Sequence, residues 1–285
     1  MMELDIPIAD YAADNVGAPV PTLNSGLAHR ILTRSPLHAW ASHPKLNPAG
    51  VREVNEAMDF GSAVHSALLE GIDIVTVIDA PDWRTKAAKE SRDDARALGR
   101  VPLLYAEAEK VSALVAVTNL TIASCPDLAG LGALDAERTI VWADRHTDVW
   151  LRCRPDWMTR DRSIILSYKT TSASAEPEAY AKTILNYGYD MQAAFEMDGV
   201  KAMTGNAPIA YVWVVQETQP PFAVSLVGMS APMRAYAMDR MGLAVDMWKR
   251  CLSDDRWPGY PERVCYIEPP AWARALLDER IENES

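Results

Sequence analysis

The chain of 285 residues is 49% hydrophobic and 24% charged, with 19 prolines and 14 glycines dispersed along it. This composition excludes disordered and collagen-like chains and points to one large domain, 1–285, with a sizeable core. The net charge of −11 excludes a surface that coats nucleic acid everywhere, while leaving room for a local basic channel; with no window near the roughly 18 apolar residues of a membrane helix and an acidic start, MMELDIPIAD, the expectation is a cytoplasmic protein with no membrane partner.

In chain order, apolar positions at helical spacing predict a helix over 54–70, with Gly61, Ser62 and Ala63 allowing close packing and with His65 on this closely packed helix. A second, charged helix is predicted over 83–98, where Trp83 to Arg100 carry six basic residues against three acidic ones. From Thr139 the period changes. TIVWAD, DVWLRCRPDWM and SIILSYKTT are β-branched or aromatic runs separated by charged turns, which predicts a three-strand meander at the centre of a sheet. A helix over 177–203 follows, begun by Ser174 and Pro177, with Gln192 and Glu196 one turn apart on one face. Then come strands IAYVWVVQE and FAVSLVG, a helix from Pro232 to Leu252, and a short amphipathic helix in AWARALLDERIEN. The order implies a mixed α/β layered fold, with an N-terminal helical part over 1–135 and a sheet core over about 137–230.

Cys125, Cys153, Cys251 and Cys265 lie far apart without a CxxC pair, so reduced thiols in or near the core are expected, and a disulfide framework, a zinc knuckle or a clustered iron–sulfur site is not. The chemistry concentrates in RCRPDWMTRDRSIILSYKTT. Asp156 ends one strand and Ser167, Tyr168 and Lys169 lie on the next, across a charged turn, so hairpin geometry can bring them together. A carboxylate facing a lysine serves a metal-dependent phosphodiesterase, the one as a hard oxygen ligand and the other to orient water; an exposed hairpin pair is the plainer reading. His65 is similarly open between a core histidine and a ligand. Lys89, Arg92 and Arg96 share a helical face that can track phosphates or simply meet solvent, with Lys86–Glu90 and Lys89–Asp93 as ordinary i, i+4 pairs. Trp142, Trp150 and Trp157 read as core, with base stacking as the alternative.

Taken together, FGSAVHSALLEG, DWRTKAAKESRDDARALGR, AERTIVW, RCRPDWM, IILSYKTT and NYGYDMQAAFEMDG resemble the RecE-type, exodeoxyribonuclease VIII-like branch of the PD-(D/E)XK nuclease superfamily, from about Leu32 to Ala202. The resemblance implies a restriction-endonuclease-like core, a central mixed sheet flanked by helices. It implies Mg²⁺, with Mn²⁺ as a substitute, held by His65 and Asp156; Lys169 as the catalytic lysine; Gln192 as a positioning group; and Glu137 as a further acid. Arg84, Lys86 and Lys89 match a basic stretch of the family, so Arg84, Lys86, Lys89, Arg92 and Arg96 are the expected DNA contacts. It further implies digestion of linear double-stranded DNA from the 5′ end to leave a 3′ strand, a phage or prophage origin, and a single-strand annealing protein as partner. A ring-shaped homo-oligomer is expected because a chain of net charge −11 can confine its basic residues to a lumen. Two positions depart from the pattern. Ser167 stands where an Asp or Glu is expected, which predicts weak or lost activity, and Glu196 stands where a tyrosine is expected. Glu196 reads as a surface glutamate, or else as an inward carboxylate that partly replaces the missing acid.

Overall fold

The computed structural model describes residues 1–50, 56–69 and 75–284. Its central sheet has five strands, β4 (Leu134–Ala136), β7 (Trp157–Thr159), β8 (Ile164–Thr171), β9 (Ala210–Glu217) and β10 (Val224–Gly228), in the order β10-β9-β8-β7-β4. β8 and β9 are parallel and the other pairs antiparallel, so the sheet is mixed. A parallel pair needs a long crossover. Here α7 (Pro177–Tyr187) and α8 (Tyr189–Thr204) supply it.

The two-residue alternation of β8 and β9 divides the core in two. Ile165, Tyr211, Trp213 and Val215 face a cluster with α8, α2 (Ser25–Thr33) and α9 (Ala231–Asp254). Leu166, Tyr168 and Val214 face a second cluster with α4 (Glu56–Leu69) and α6 (Tyr105–Ser124). By the same alternation Ser167 and Lys169 belong to the α8 side. α4 comes close to the end of β8, where a β-carbon on Gly61 would lie 3.3 Å from Thr170 Oγ1. This is the close packing that the small residues of the segment predict; positions 54, 55 and 70 of the predicted helix lie outside the described residues.

The expected meander is divided between two sheets. β5 (Thr139–Ala143) lies between β1 (Met2–Leu4) and β6 (Trp150–Cys153) and pairs with both in a three-stranded sheet, whereas β7 and β8 belong to the central sheet. The run DVWLRCRPDWM breaks at Pro155, which has no N–H to give to a ladder. On the partner side the chain leaves β4 and enters β5 through Glu137, at φ 54°, so the two sheets part at a seam with Glu137 on one side and Asp156 on the other. The Glu137 N–H closes that seam by donating to the Asp156 carbonyl at 3.1 Å. Likewise the single helix expected over 177–203 is two helices, because Gly188 at φ 72° turns the chain between α7 and α8. The part expected to be helical also carries β1 and a parallel pair, β2 (Val75–Ile78) with β3 (Val101–Leu104), joined by α5 (Lys86–Ala97).

The remaining helices include α1 (Ile8–Ala12), α3 (Pro36–Ser42) and the C-terminal α10 (Ala271–Glu284). α10 buries none of its residues, so its expected amphipathic character is not used against the core. No helix among the described residues is long and apolar enough to cross a membrane. Cys153 and Cys251 are buried and Cys125 partly so, as expected of core thiols, but Cys265 is exposed. Trp142 and Trp157 are core residues, and Trp150 is half-buried.

Close approach of α8 to β5 and β6 requires Gly199, where a β-carbon would lie 2.9 Å from both Cys153 Sγ and the Trp142 ring. Gly242 of α9 is exposed and would meet nothing within 4 Å. Gly242→Ala should therefore stabilise by about 0.5–1 kcal/mol through helix propensity. Gly199→Ala should cost about 1–2 kcal/mol, since overpacking outweighs the same propensity gain. Urea midpoints at unchanged slope check both signs.

Candidate active site

Burial of Asp156, 6% exposed, would be costly for a carboxylate without partners. Its partners are numerous. Oδ2 accepts the Tyr168 N–H at 2.7 Å and the Ser167 hydroxyl at 2.9 Å, and the Lys169 amine lies 3.8 Å from the same oxygen. Oδ1 faces His65 Nε2 at 3.0 Å. Burial raises the Asp156 pKa, but Lys169, the His65 bond and charge, and Ser167 outweigh it and hold the carboxyl well below the ordinary carboxylate range.

His65, carried by α4, reaches the seam with both ring nitrogens, its Nδ1 lying 3.5 Å from Glu137 Oε1. Desolvation lowers its pKa, yet the bond to Asp156 and the charges of Asp156 and Glu137 more than reverse this, and the net shift is upward. Glu137 is aimed by Arg154, whose Nε donates to Oε2 at 2.5 Å while its Nη1 donates to the Ile6 carbonyl and the Thr139 hydroxyl. One ligand atom from each of His65, Glu137 and Asp156 lies within 4.8 Å of the others. Two carboxylates with an imidazole between them fit a divalent cation, the carboxylate oxygens suiting Mg²⁺ or Mn²⁺.

His65, Glu137, Asp156, Ser167 and Lys169 thus converge. Gln192 and Glu196 join them from α8, but Glu196 is not on the surface. Its side chain is buried, with Gln192 Nε2 donating to Oε1 at 2.8 Å and the Tyr211 hydroxyl to Oε2 at 2.9 Å. The surface reading fails because nine of the sixteen residues of α8, Glu196 among them, are buried where the helix packs against β5, β6, α2 and α9. Desolvation, reinforced by the Asp156 charge, raises the Glu196 pKa to about 7 against the opposing bonds from Gln192 and Tyr211 and the charge of Lys169. Tyr211 also borders Ser167, so a tyrosine from β9 and a glutamate from α8 occupy the surroundings of the short side chain.

The expected DNA-contact residues form a separate group on α5 and the turn before it, packed on β2 and β3. Arg84, Lys86, Lys89 and Arg96 are exposed. Arg84 pairs with Asp82 and Lys86 with Glu90, and Asp93 is taken by Arg92 in place of the expected Lys89, with the Arg92 guanidinium 5.9 Å from the Trp83 ring centroid. Sequence reasoning assigned no role to Arg154, Tyr189 or Tyr211. Arg154 carried a signal only in standing two residues before Asp156, since the strand breaks between them at Pro155.

Since Glu196 is neutral in the fold below about pH 7 and its carboxyl ionises at 4.5 in an unfolded chain, its contribution to stability is fully present below pH 4.5 and is lost as pH rises through 7. Glu196→Gln should thus leave stability near wild type at pH 4.5 and raise it at pH 8 by on the order of 2–3 kcal/mol. Thermal or urea unfolding in EDTA at the two pH values measures the difference.

A family model described as a PDDEXK-like domain of unknown function, DUF3799, matches residues 28–270. No curated protein matches the chain. Among solved structures, a candidate exonuclease from Eubacterium rectale superimposes with a TM-score of 0.60 at 11% identity, over 95% of this chain and 98% of that one. SSO0001 aligns at 13% identity over 75% and 84% of the two chains, with a TM-score of only 0.29. The seam of acids, the lysine on the neighbouring strand and the extent of the family match place this chain in the DUF3799 family of PDDEXK-like domains.

Proposed function

We propose that the protein is a metal-dependent deoxyribonuclease that hydrolyses phosphodiester bonds at the ends of linear double-stranded DNA. The observation that carries this reading is the convergence of Asp156, Glu137, His65 and Lys169, drawn from four separate segments, on one partly open site. His65, Glu137 and Asp156 would hold the cation, Mg²⁺ or Mn²⁺, which when bound polarises the phosphate and lowers the pKa of water. Lys169, 3.8 Å from Asp156 Oδ2, orients the attacking water and offsets charge on the phosphate. Gln192 holds Glu196, and Tyr211 holds it from the other side. The basic residues Arg84, Lys86, Lys89, Arg92 and Arg96 supply a phosphate-tracking surface on α5 and its approach. Attack from the 5′ end, a place in phage recombination beside a single-strand annealing protein, and a ring-shaped oligomer in the cytoplasm extend this reading.

Ser167 leaves the site one anionic oxygen short, and this favours a second reading: a silent DNA-end-binding or protein-binding module that kept the fold. Digestion of linear duplex DNA with Mg²⁺ or Mn²⁺ separates the two. Wild type should be slow, EDTA and Lys169→Ala should each abolish the activity, and Ser167→Asp should raise it by tenfold or more. Ser167→Asp should also show the larger thermal stabilisation on adding Mn²⁺, because it adds an anionic oxygen for the ion. Robust wild-type cleavage with no gain in Ser167→Asp would show this account of Ser167 to be wrong and turn attention to Glu196 as the substitute acid, and an inert Ser167→Asp that folds would favour the silent module.

His65 also sets the pH at which an ion enters. Its two carboxylate partners hold the imidazole proton above the usual pKa of 6.5, and a bound cation must displace that proton. Mn²⁺ affinity measured by calorimetry should therefore rise from pH 6 to pH 8, with proton release, and His65→Gln should flatten the dependence while weakening binding.

A further inference from the structure

The two tyrosines of NYGYDMQ hold no ion, yet they stand beside the lysine. Tyr187 ends α7, Tyr189 begins α8, and Gly188 between them takes a left-handed conformation. A β-carbon on Gly188 would lie 2.6 Å from the His29 ring, so α2 presses directly on the corner and fixes it. Across it the two rings stack, 5.8 Å between centroids and 19° between planes. The inner ring, Tyr189, packs against the large core cluster, and the Lys169 amine lies 4.9 Å from its centroid. The outer ring, Tyr187, is 69% exposed. An aromatic ladder thus runs from the lysine to solvent and ends in an open ring.

We propose that Tyr187 is a nucleobase platform, on which an unpaired base next to the scissile phosphate stacks so that the phosphate lies over Lys169 and Asp156. This rests on the nuclease reading and adds to it the form of the substrate end. Every base has a π face, so a tyrosine platform is tolerant of sequence. A base inside a duplex has its faces covered by its neighbours and is tied to its partner strand, so the platform favours a nucleotide that is already unpaired. The enzyme accordingly prefers a frayed end or short overhang to a blunt, G·C-rich end. Tyr187 touches none of the reacting atoms and acts as a specificity-determining residue.

The experiment pairs a binding signal with a rate, using the whole chain. An oligonucleotide duplex with 2-aminopurine in a short overhang is titrated with protein in EDTA, and binding is followed independently by anisotropy. Wild type should quench the 2-aminopurine, Tyr187→Trp should quench it too, and Tyr187→Ala should bind without quenching. In Mn²⁺, Tyr187→Ala should lose about tenfold in kcat/KM on the overhang substrate, and wild type should fall to the same rate when the stacked nucleotide is abasic. DNA binding with no quenching by wild type, or quenching and rates equal in Tyr187→Ala, would overturn the platform while leaving the nuclease reading intact. Tyr187-dependent quenching with no cleavage by wild type or by Ser167→Asp would keep the platform and defeat the nuclease reading. Neither binding nor cleavage would remove both.

Discussion

The site depends on how a single buried carboxylate is satisfied. Asp156 loses most of its water at the seam between two sheets, and four groups from the protein replace it: a backbone N–H and a hydroxyl from β8, an imidazole from α4 and an amine from the strand end. These donors differ in mobility. The β8 N–H is fixed by the sheet, so it keeps the carboxylate oriented, while the imidazole and amine are side chains that can yield to an incoming ion or phosphate. Rigid support on Oδ2, with one exchangeable partner beside it and another on Oδ1, is a suitable arrangement for binding without rebuilding the fold.

Much of this site was legible. His65 in a small-residue helix, Asp156 after a proline and Lys169 on an apolar strand carry chemistry that their neighbours do not require, and Glu137 stands before a strand run. The sheet-switching seam was harder to read, because TIVWAD, DVWLRCRPDWM and SIILSYKTT have the same local pattern whichever sheet they join; only Pro155 hints at the break. Gly188 was a comparable signal inside a long helical pattern, and its left-handed backbone shows what it marked. Glu196 was illegible for a different reason. A glutamate one turn from a glutamine looks solvent-facing in any single helix, and its burial is decided by β9, which brings Tyr211 from a distant part of the chain. α6 escaped notice because its apolar residues spread around the helix instead of forming one stripe.

The two departures from the family pattern meet in space. Ser167 is shorter than the expected acid, and Glu196 is more polar than the expected tyrosine, yet Tyr211 touches the surroundings of both. The carboxyl missing from the strand has a counterpart on the neighbouring helix, although that counterpart is held by a phenol and an amide, and burial keeps it neutral below about pH 7. The net effect is a site whose acid content is preserved in number but not in position.

The left-handed residue at Glu137 carries a different implication. A β-carbon residue in that conformation stores about 1 kcal/mol of backbone strain, and here it lies at the point where one sheet hands the chain to another. The same residue offers its carboxylate to His65 and its N–H to the Asp156 carbonyl across the junction. Ligand geometry and sheet junction therefore share one residue. Arg154, bonded to the Glu137 carboxylate and to the Ile6 carbonyl near the start of the chain, ties that residue to the three-stranded sheet's side of the seam.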